Sequence, residues 1–154
     1  MTIQRLTTSS FCVSLQTHGV HPRAFYGNTR ISHLILEEGI TVIGESAFQG
    51  CANLVKIELT TSLVTISDSA FMNCRNLSTI IFSEGLLKIS WSAFEGCASL
   101  QNIILPKSLT QVRGAVFRNC TNLQSVIFQN ANVEFVGHYL FHNCPKLQKF
   151  QIGD

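Results

Sequence analysis

Apolar residues along this chain hold neither a two-residue nor a 3.6-residue rhythm over any long stretch. They recur instead in columns about 23 residues apart. One column is Phe25, Phe48, Phe71, Phe94, Phe117 and Phe141, at spacings of 23, 23, 23, 23 and 24. Three residues after each phenylalanine stands Cys51, Cys74, Cys97, Cys120 or Cys144, with Asn28 in that slot of the first unit. An aliphatic column follows at Ile31, Leu54, Leu77, Leu100, Leu123 and Leu147. Next come Leu34, Ile57, Ile80, Ile103, Val126 and Phe150, and two residues later Leu36, Leu59, Phe82, Leu105, Phe128 and Ile152. Later pairs run from Ile40 and Ile43 to Val133 and Val136, which places the one extra residue of the fifth unit within Gln129–Asn132.

The unit reads A-F-x-G/N-C-x-x-L-x-x-I-x-L, a short turn, then L-x-x-I-x-x-S. Its I-x-L piece, with apolar residues two apart, predicts a short strand. Its A-F-x-G/N-C piece predicts one helical or 3-10 turn. Gly27, Gly50, Asn73, Gly96, Asn119 and Asn143 form a column of glycine and asparagine only, the residues that tolerate positive φ best. That slot is expected to be left-handed. One such coil cannot bury its own apolar face, whereas stacked coils cover one another. Phenylalanine is then expected to fill the interior. Cysteine is expected to fill a tight inward slot and to donate weakly to a backbone carbonyl, and Asn28 to bond the backbone of its own turn.

The pattern L-x-x-L-x-L-x-x-N/C is that of leucine-rich repeats. In its 23-residue form, with Leu105-Pro106 ending one strand, it resembles the BspA-type leucine-rich repeat family. The resemblance covers residues 24–154. The expected fold is an α/β-type repeat solenoid. It is a right-handed coil with short parallel strands on one face and short helical or 3-10 turns on the other. Units are expected to start near 24, 47, 70, 93, 116 and 140, the last incomplete and uncapped. Residues 1–23 are expected to form a degenerate capping coil, with Val13-Ser14-Leu15 in the I-x-L place. The family resemblance also implies surface recognition or adhesion, although other members are intracellular.

Composition narrows the function classes. Of 154 residues, 45% are hydrophobic and only 13% charged, below the usual quarter. A net charge of +2 with no basic run lacks the electrostatic footprint of a nucleic-acid binder. No apolar stretch reaches the ~20 residues that a spanning helix needs, so no membrane insertion is expected. The first residues, MTIQRLTTSSFCVSLQTHGVH, have no continuous apolar core of a signal peptide, and the compartment stays open.

Candidate chemistry is sparse. Five column cysteines are an odd number at one repeated inward position, which favours buried free thiols over disulfides. Cys12 stands outside the column. His138, His142 and Cys144 fall within seven residues, but by register they diverge, so no metal site is expected. Glu37, Glu38, Glu58, Glu84 and Glu95 occupy scattered slots, and no catalytic motif is present, so neither an enzyme nor a cofactor is expected. Recognition remains. Between the apolar pair of each strand lie Ile35, Glu58, Ile81, Ile104, Ile127 and Gln151. Ile81, Ile104 and Ile127, with Glu58 beside them, are expected to face outward as an apolar stripe with a polar rim, a pattern that suits either protein binding or plain strand propensity. Trp91 is a second candidate anchor, in the slot of Glu45 and Asp68.

The expected function is a non-catalytic protein-binding module on a surface, its partner unnamed by the sequence. An intracellular scaffold or regulatory subunit is the alternative, favoured by free thiols. A structural segment of a longer repeat array is a third, and a homodimer through the uncapped C-terminal end is a further expectation.

Overall fold

The computed structural model of the chain describes residues 2–5, 10–14 and 18–153. Its strands begin with β1 (Thr2–Arg5), β2 (Ser10–Ser14), β3 (Gly19–Val20), β4 (His33–Leu36) and β5 (Val42–Ile43). They continue with β6 (Lys56–Glu58), β7 (Thr65–Ile66), β8 (Thr79–Ile81), β9 (Lys88–Ile89) and β10 (Asn102–Leu105). The last are β11 (Gln111–Arg113), β12 (Ser125–Phe128), β13 (Glu134–Val136) and β14 (Lys149–Ile152).

Each coil contributes two strands, because each unit has two apolar stretches flanking a turn. The I-x-L strands form a front face and the shorter L-x-x-I strands a back face. The back sheet runs unbroken as β13-β11-β9-β7-β5-β3, all parallel. The sequence pattern predicted strands on one face only; the second sheet is an addition to it. The front face is two sheets, β1-β2-β4-β6-β8 and β10-β12-β14. Strand β1 runs antiparallel to β2, and every other pairing is parallel.

No helix forms among the described residues, which overturns the expected helical or 3-10 turns. The reason lies in how the A-F-x-G/N-C amides are used. Arg23, Phe25 and Gly27 donate their N–H groups to the next coil, at the carbonyls of Glu45, Ala47 and Gln49, 2.9, 2.7 and 2.7 Å away. Between them, Ala24, Tyr26 and Asn28 donate three residues back within the turn, at 3.2, 3.1 and 3.0 Å. A helix would need consecutive amides to bond internally. Here every second one is committed to a neighbour.

That geometry needs two left-handed residues per turn. The expected column is one, with Gly50 at φ 73° and Asn73 at 60°. The other is Arg23, Ser46, Ser69, Ser92, Ala115 and Tyr139, at φ 53–65°. None of these is glycine or asparagine, and each conformation costs about 1–2 kcal/mol. Ser46 shows what offsets it: its N–H reaches the Asp68 carbonyl at 2.9 Å and its own carbonyl accepts from Gln49.

Two register expectations are corrected by pairing. Phe11 and Val13 stand opposite Leu34 and Leu36, so the strand before the first coil lies two residues earlier than Val13–Leu15. Val20 stands opposite Ile43, which puts this segment in the regular 23-residue register. In the fifth coil, β13 pairs with β11 at the regular spacing, Val112 opposite Phe135 rather than Val136. The longer spacing appears only where Ala115 N–H meets the His138 carbonyl. The extra residue is therefore absorbed around Gly137, at φ 106°, and not within Gln129–Asn132.

Six phenylalanine rings form one stack through the core, between buried aliphatic columns such as Leu54, Leu77 and Leu100. Successive centroids are 4.9, 5.2, 5.4, 5.9 and 5.9 Å apart, with interplanar angles of 3–11°. Phe48, Phe71, Phe94 and Phe117 are fully buried. In the last coil Leu140, Phe141, Cys144 and Leu147 are only partly covered. Replacing Phe94 with alanine is expected to cost about 3–5 kcal/mol by chemical denaturation, since it opens a cavity and breaks two stacking contacts. Phe141→Ala should cost clearly less, and equal losses would contradict this packing.

Candidate functional site: the front strand face and its groove

Side chains on the front strands alternate, one inward and one outward. Ile81 and Ile104 are 66% and 56% exposed, the most exposed isoleucines of the chain's described part. Ile127 is half-buried beside Ile104, its register partner. Glu58 is exposed opposite Ile81 and pairs with Lys56 at 2.6 Å. The expected stripe is therefore present in outline but divided. Ile81 belongs to β8 and Ile104 to β10, and those strands do not pair.

Where the pairing lapses, a groove of about 350 Å³ opens, lined by Ile80, Ile81, Phe82, Glu84, Asn102, Ile104, Pro106 and Gln129. Ile80 and Phe82 are inward residues, yet both are only partly buried. Of their counterparts, Ile57, Ile103 and Leu105 are covered to 2% exposure or less, while Leu59 is partly buried. Phe82 leans edge-on against Phe94, at 5.6 Å and 83°. The groove thus reaches the core. Its apolar floor could not have been inferred from the repeat, because Ile80 and Phe82 match the pattern perfectly.

Trp91 sits elsewhere. Its ring lies along the solenoid over two glycines of the following coils. A Cβ on Gly114 would come within 2.2 Å of the ring, and one on Gly137 within 2.3 Å. The indole stays 38% exposed, and its N–H of the main chain donates to Asp68 Oδ1 at 3.1 Å. The glycines were the sequence signal for this packing, since Gly114 fills the slot of Trp91 one coil on.

The cysteine column behaves as its size and donor suggest. Each thiol donates to the carbonyl of the phenylalanine one coil back: Cys51 to Phe25, Cys74 to Phe48, Cys97 to Phe71, Cys120 to Phe94 and Cys144 to Phe117, at 3.0–3.2 Å. All five are free. Asn28 Oδ1 accepts from Arg30 N–H at 2.8 Å within its own turn. Burial raises the Cys51 thiol to about 11. It holds Cys74, Cys97 and Cys120 well above the ordinary range, with neighbouring thiols of the column adding to the effect. The side chain of Cys12 lies outside the described residues.

His138 and His142 are exposed and flank the Tyr139 ring, while the Cys144 thiol points to Phe117. Among the described residues no three His, Cys, Asp or Glu side chains gather as a metal site would require. Acidic groups serve the coil joints: Glu38 bonds Thr61 and Ser62 amides, and Glu84 those of Lys107 and Ser108. No helix among the described residues is long and apolar enough to cross a membrane.

A stack of near-identical coils, with a phenylalanine ladder inside and a variable strand face outside, defines a leucine-rich repeat solenoid. The chain belongs to the BspA-type leucine-rich repeat family, whose model matches six copies over residues 8–153. Among solved structures it is similar to a leucine-rich repeat protein of T. pallidum, at 30% identity and a TM-score of 0.88, covering 95% of this chain and 71% of that one. It is also similar to a Bacteroides ovatus leucine-rich repeat protein, at 27% identity and a TM-score of 0.78, covering 88% of this chain and 38% of that one. The pneumococcal vaccine antigen PcpA shares the fold at 20% identity and a TM-score of 0.68, over 94% of this chain and 51% of its own. No curated protein sequence matches the chain.

Two outcomes follow from the buried side chains. Denatured protein without reductant should show six titratable thiols, and two or fewer would mean disulfides. Folded thiols resist ionisation while unfolded ones lose protons above pH 9.0, so stability should be level below that value and fall as pH climbs toward 11. Cys97→Ala should flatten that fall. Second, Gly114→Ala should cost about 1–3 kcal/mol by overpacking. It should also shift the emission of Trp91, the only tryptophan, to longer wavelength. An unchanged spectrum would contradict the ring's place.

Proposed function

We propose that the chain is a non-catalytic protein-recognition module that engages its partner through the front strand face. The observation that carries this reading is the pair Ile81 and Ile104, more than half exposed on rigid strands and bracketing a groove that reaches the core. An exposed apolar centre with a polar rim is how recognition patches are built, and strands fix it without an ordering cost. Lys56, Glu58, Thr79 and Asn102 supply the rim. Surface recognition or adhesion is the form of this function that the family suggests. Five free thiols, four of them buried, favour a second form, an intracellular scaffold, because reducing compartments preserve them.

Paired pull-downs test the reading. Wild-type protein and the Ile81→Glu, Ile104→Glu, Ile127→Glu variant are offered lysate and extracellular-matrix proteins, with folding checked by circular dichroism. A partner retained by the wild type and reduced at least tenfold on the folded variant is expected. Its compartment distinguishes adhesion from scaffold. Equal retention by both would remove the front face as the site.

A further inference from the structure

We infer that the groove between β8 and β10 is a slot for an extended peptide strand, which completes the interrupted front sheet. The inference rests on the front face being the recognition surface and specifies what it recognises.

The interruption is local. Across the same junction the back sheet pairs β9 with β11, and Ser69, Phe71 and Asn73 keep their turn bonds to Trp91, Ala93 and Glu95. Only the front strands separate. At the neighbouring junctions the residue before the strand donates to the coil behind: Val55 to Ser32, Ser78 to Val55, Gln124 to Gln101 and Gln148 to Gln124, at 2.7–3.0 Å. Gln101 has no such bond to Ser78. At the far end of the strand, Gln129 N–H closes on Leu105 and Gly153 N–H on Phe128, at 3.1 and 2.8 Å. The matching residue here is Pro106, which has no N–H to give; Thr60 and Ser83, at the two junctions behind, make no such bond either, although their strands pair. Two strand edges therefore face one another without a ladder between them.

Open edges call for backbone donors and acceptors, which an extended peptide supplies and a folded apolar surface does not. The groove's sides specify the rest. Ile80 and Phe82 form an apolar floor for every second side chain, and Ile81 and Ile104 flank the alternate ones. Glu84, exposed at one end, spends a lone pair of each oxygen on the Lys107 and Ser108 amides but keeps its negative charge, which favours a basic residue there. The occupant is a proline-free segment with apolar residues two apart, followed or preceded by Lys or Arg.

A phage-displayed library of linear dodecapeptides, selected on the intact chain, provides the probe. Enriched peptides are synthesised and titrated by fluorescence polarisation. Alternating apolar residues with a flanking base are expected. N-methylation of central amides should weaken binding at least tenfold, because it removes the ladder while keeping side chains. Ile104→Glu should do the same. Pro106→Ser introduces the serine found at Ser83, whose hydroxyl donates to the Thr60 carbonyl at 2.6 Å, so the equivalent bond to the Ser83 carbonyl should favour closure and weaken binding several-fold. Peptides that bind equally well after N-methylation would overturn strand addition. So would the absence of any enriched peptide while the pull-down partner still depends on the isoleucines; the recognition face would then survive without the slot. Loss of both dependences would remove both readings.

Discussion

The structure depends on the division of labour among the amides of one six-residue turn. Half of them bond within the turn and half reach the next coil. This makes each coil unable to fold alone and able to fold against a copy of itself. It also explains why the segment is not helical, although helix-compatible residues fill it. The strained backbone at Ser46, Ser69 and Ser92 is tolerated because a carbonyl of the next coil accepts its N–H and an amide of its own turn donates to its carbonyl. A leucine-rich coil of this kind is thus a unit of interface, and stability accumulates one junction at a time.

The phenylalanine and cysteine columns are two parts of the same junction. The ring stacks on its neighbours, and its carbonyl accepts a thiol from the coil ahead. Cysteine suits the place because it is compact, apolar and still a donor, so it satisfies a buried carbonyl without demanding partners of its own. Burial then makes the thiol hard to ionise, and the column is inert by the same fact that makes it structural. The odd occupant, Asn28, turns its oxygen to its own backbone.

One junction of the stack is incomplete. Between the third and fourth coils the turns and the back sheet close as elsewhere, but the front strands do not. Hydrophobic side chains that the repeat assigns to the interior, Ile80 and Phe82, remain partly uncovered as a result. The same face holds the most exposed isoleucines among the described residues. Relaxing one of otherwise equivalent junctions makes that place unlike the rest of the sheet, which variable residues on an unbroken sheet would only decorate.

The columns of Phe, Cys and Ile-x-Leu determined the solenoid, its 23-residue pitch, the inward cysteines and the left-handed Gly/Asn position, because each of those is a demand on a single residue repeated in every coil. Other features are relations between coils, and only tertiary structure decided them. The left-handed Ser46, Ser69 and Ser92 carry no local signal, since neighbours impose their conformation. Register before the first coil and around Gly137 was decided by strand pairing, because a hydrophobic pattern alone allows slips that backbone bonds forbid. The outward Ile81, Ile104 and Ile127 were legible as a stripe from their spacing. The groove that divides it was not, because it depends on two strands failing to meet, and that is a property of neither strand by itself.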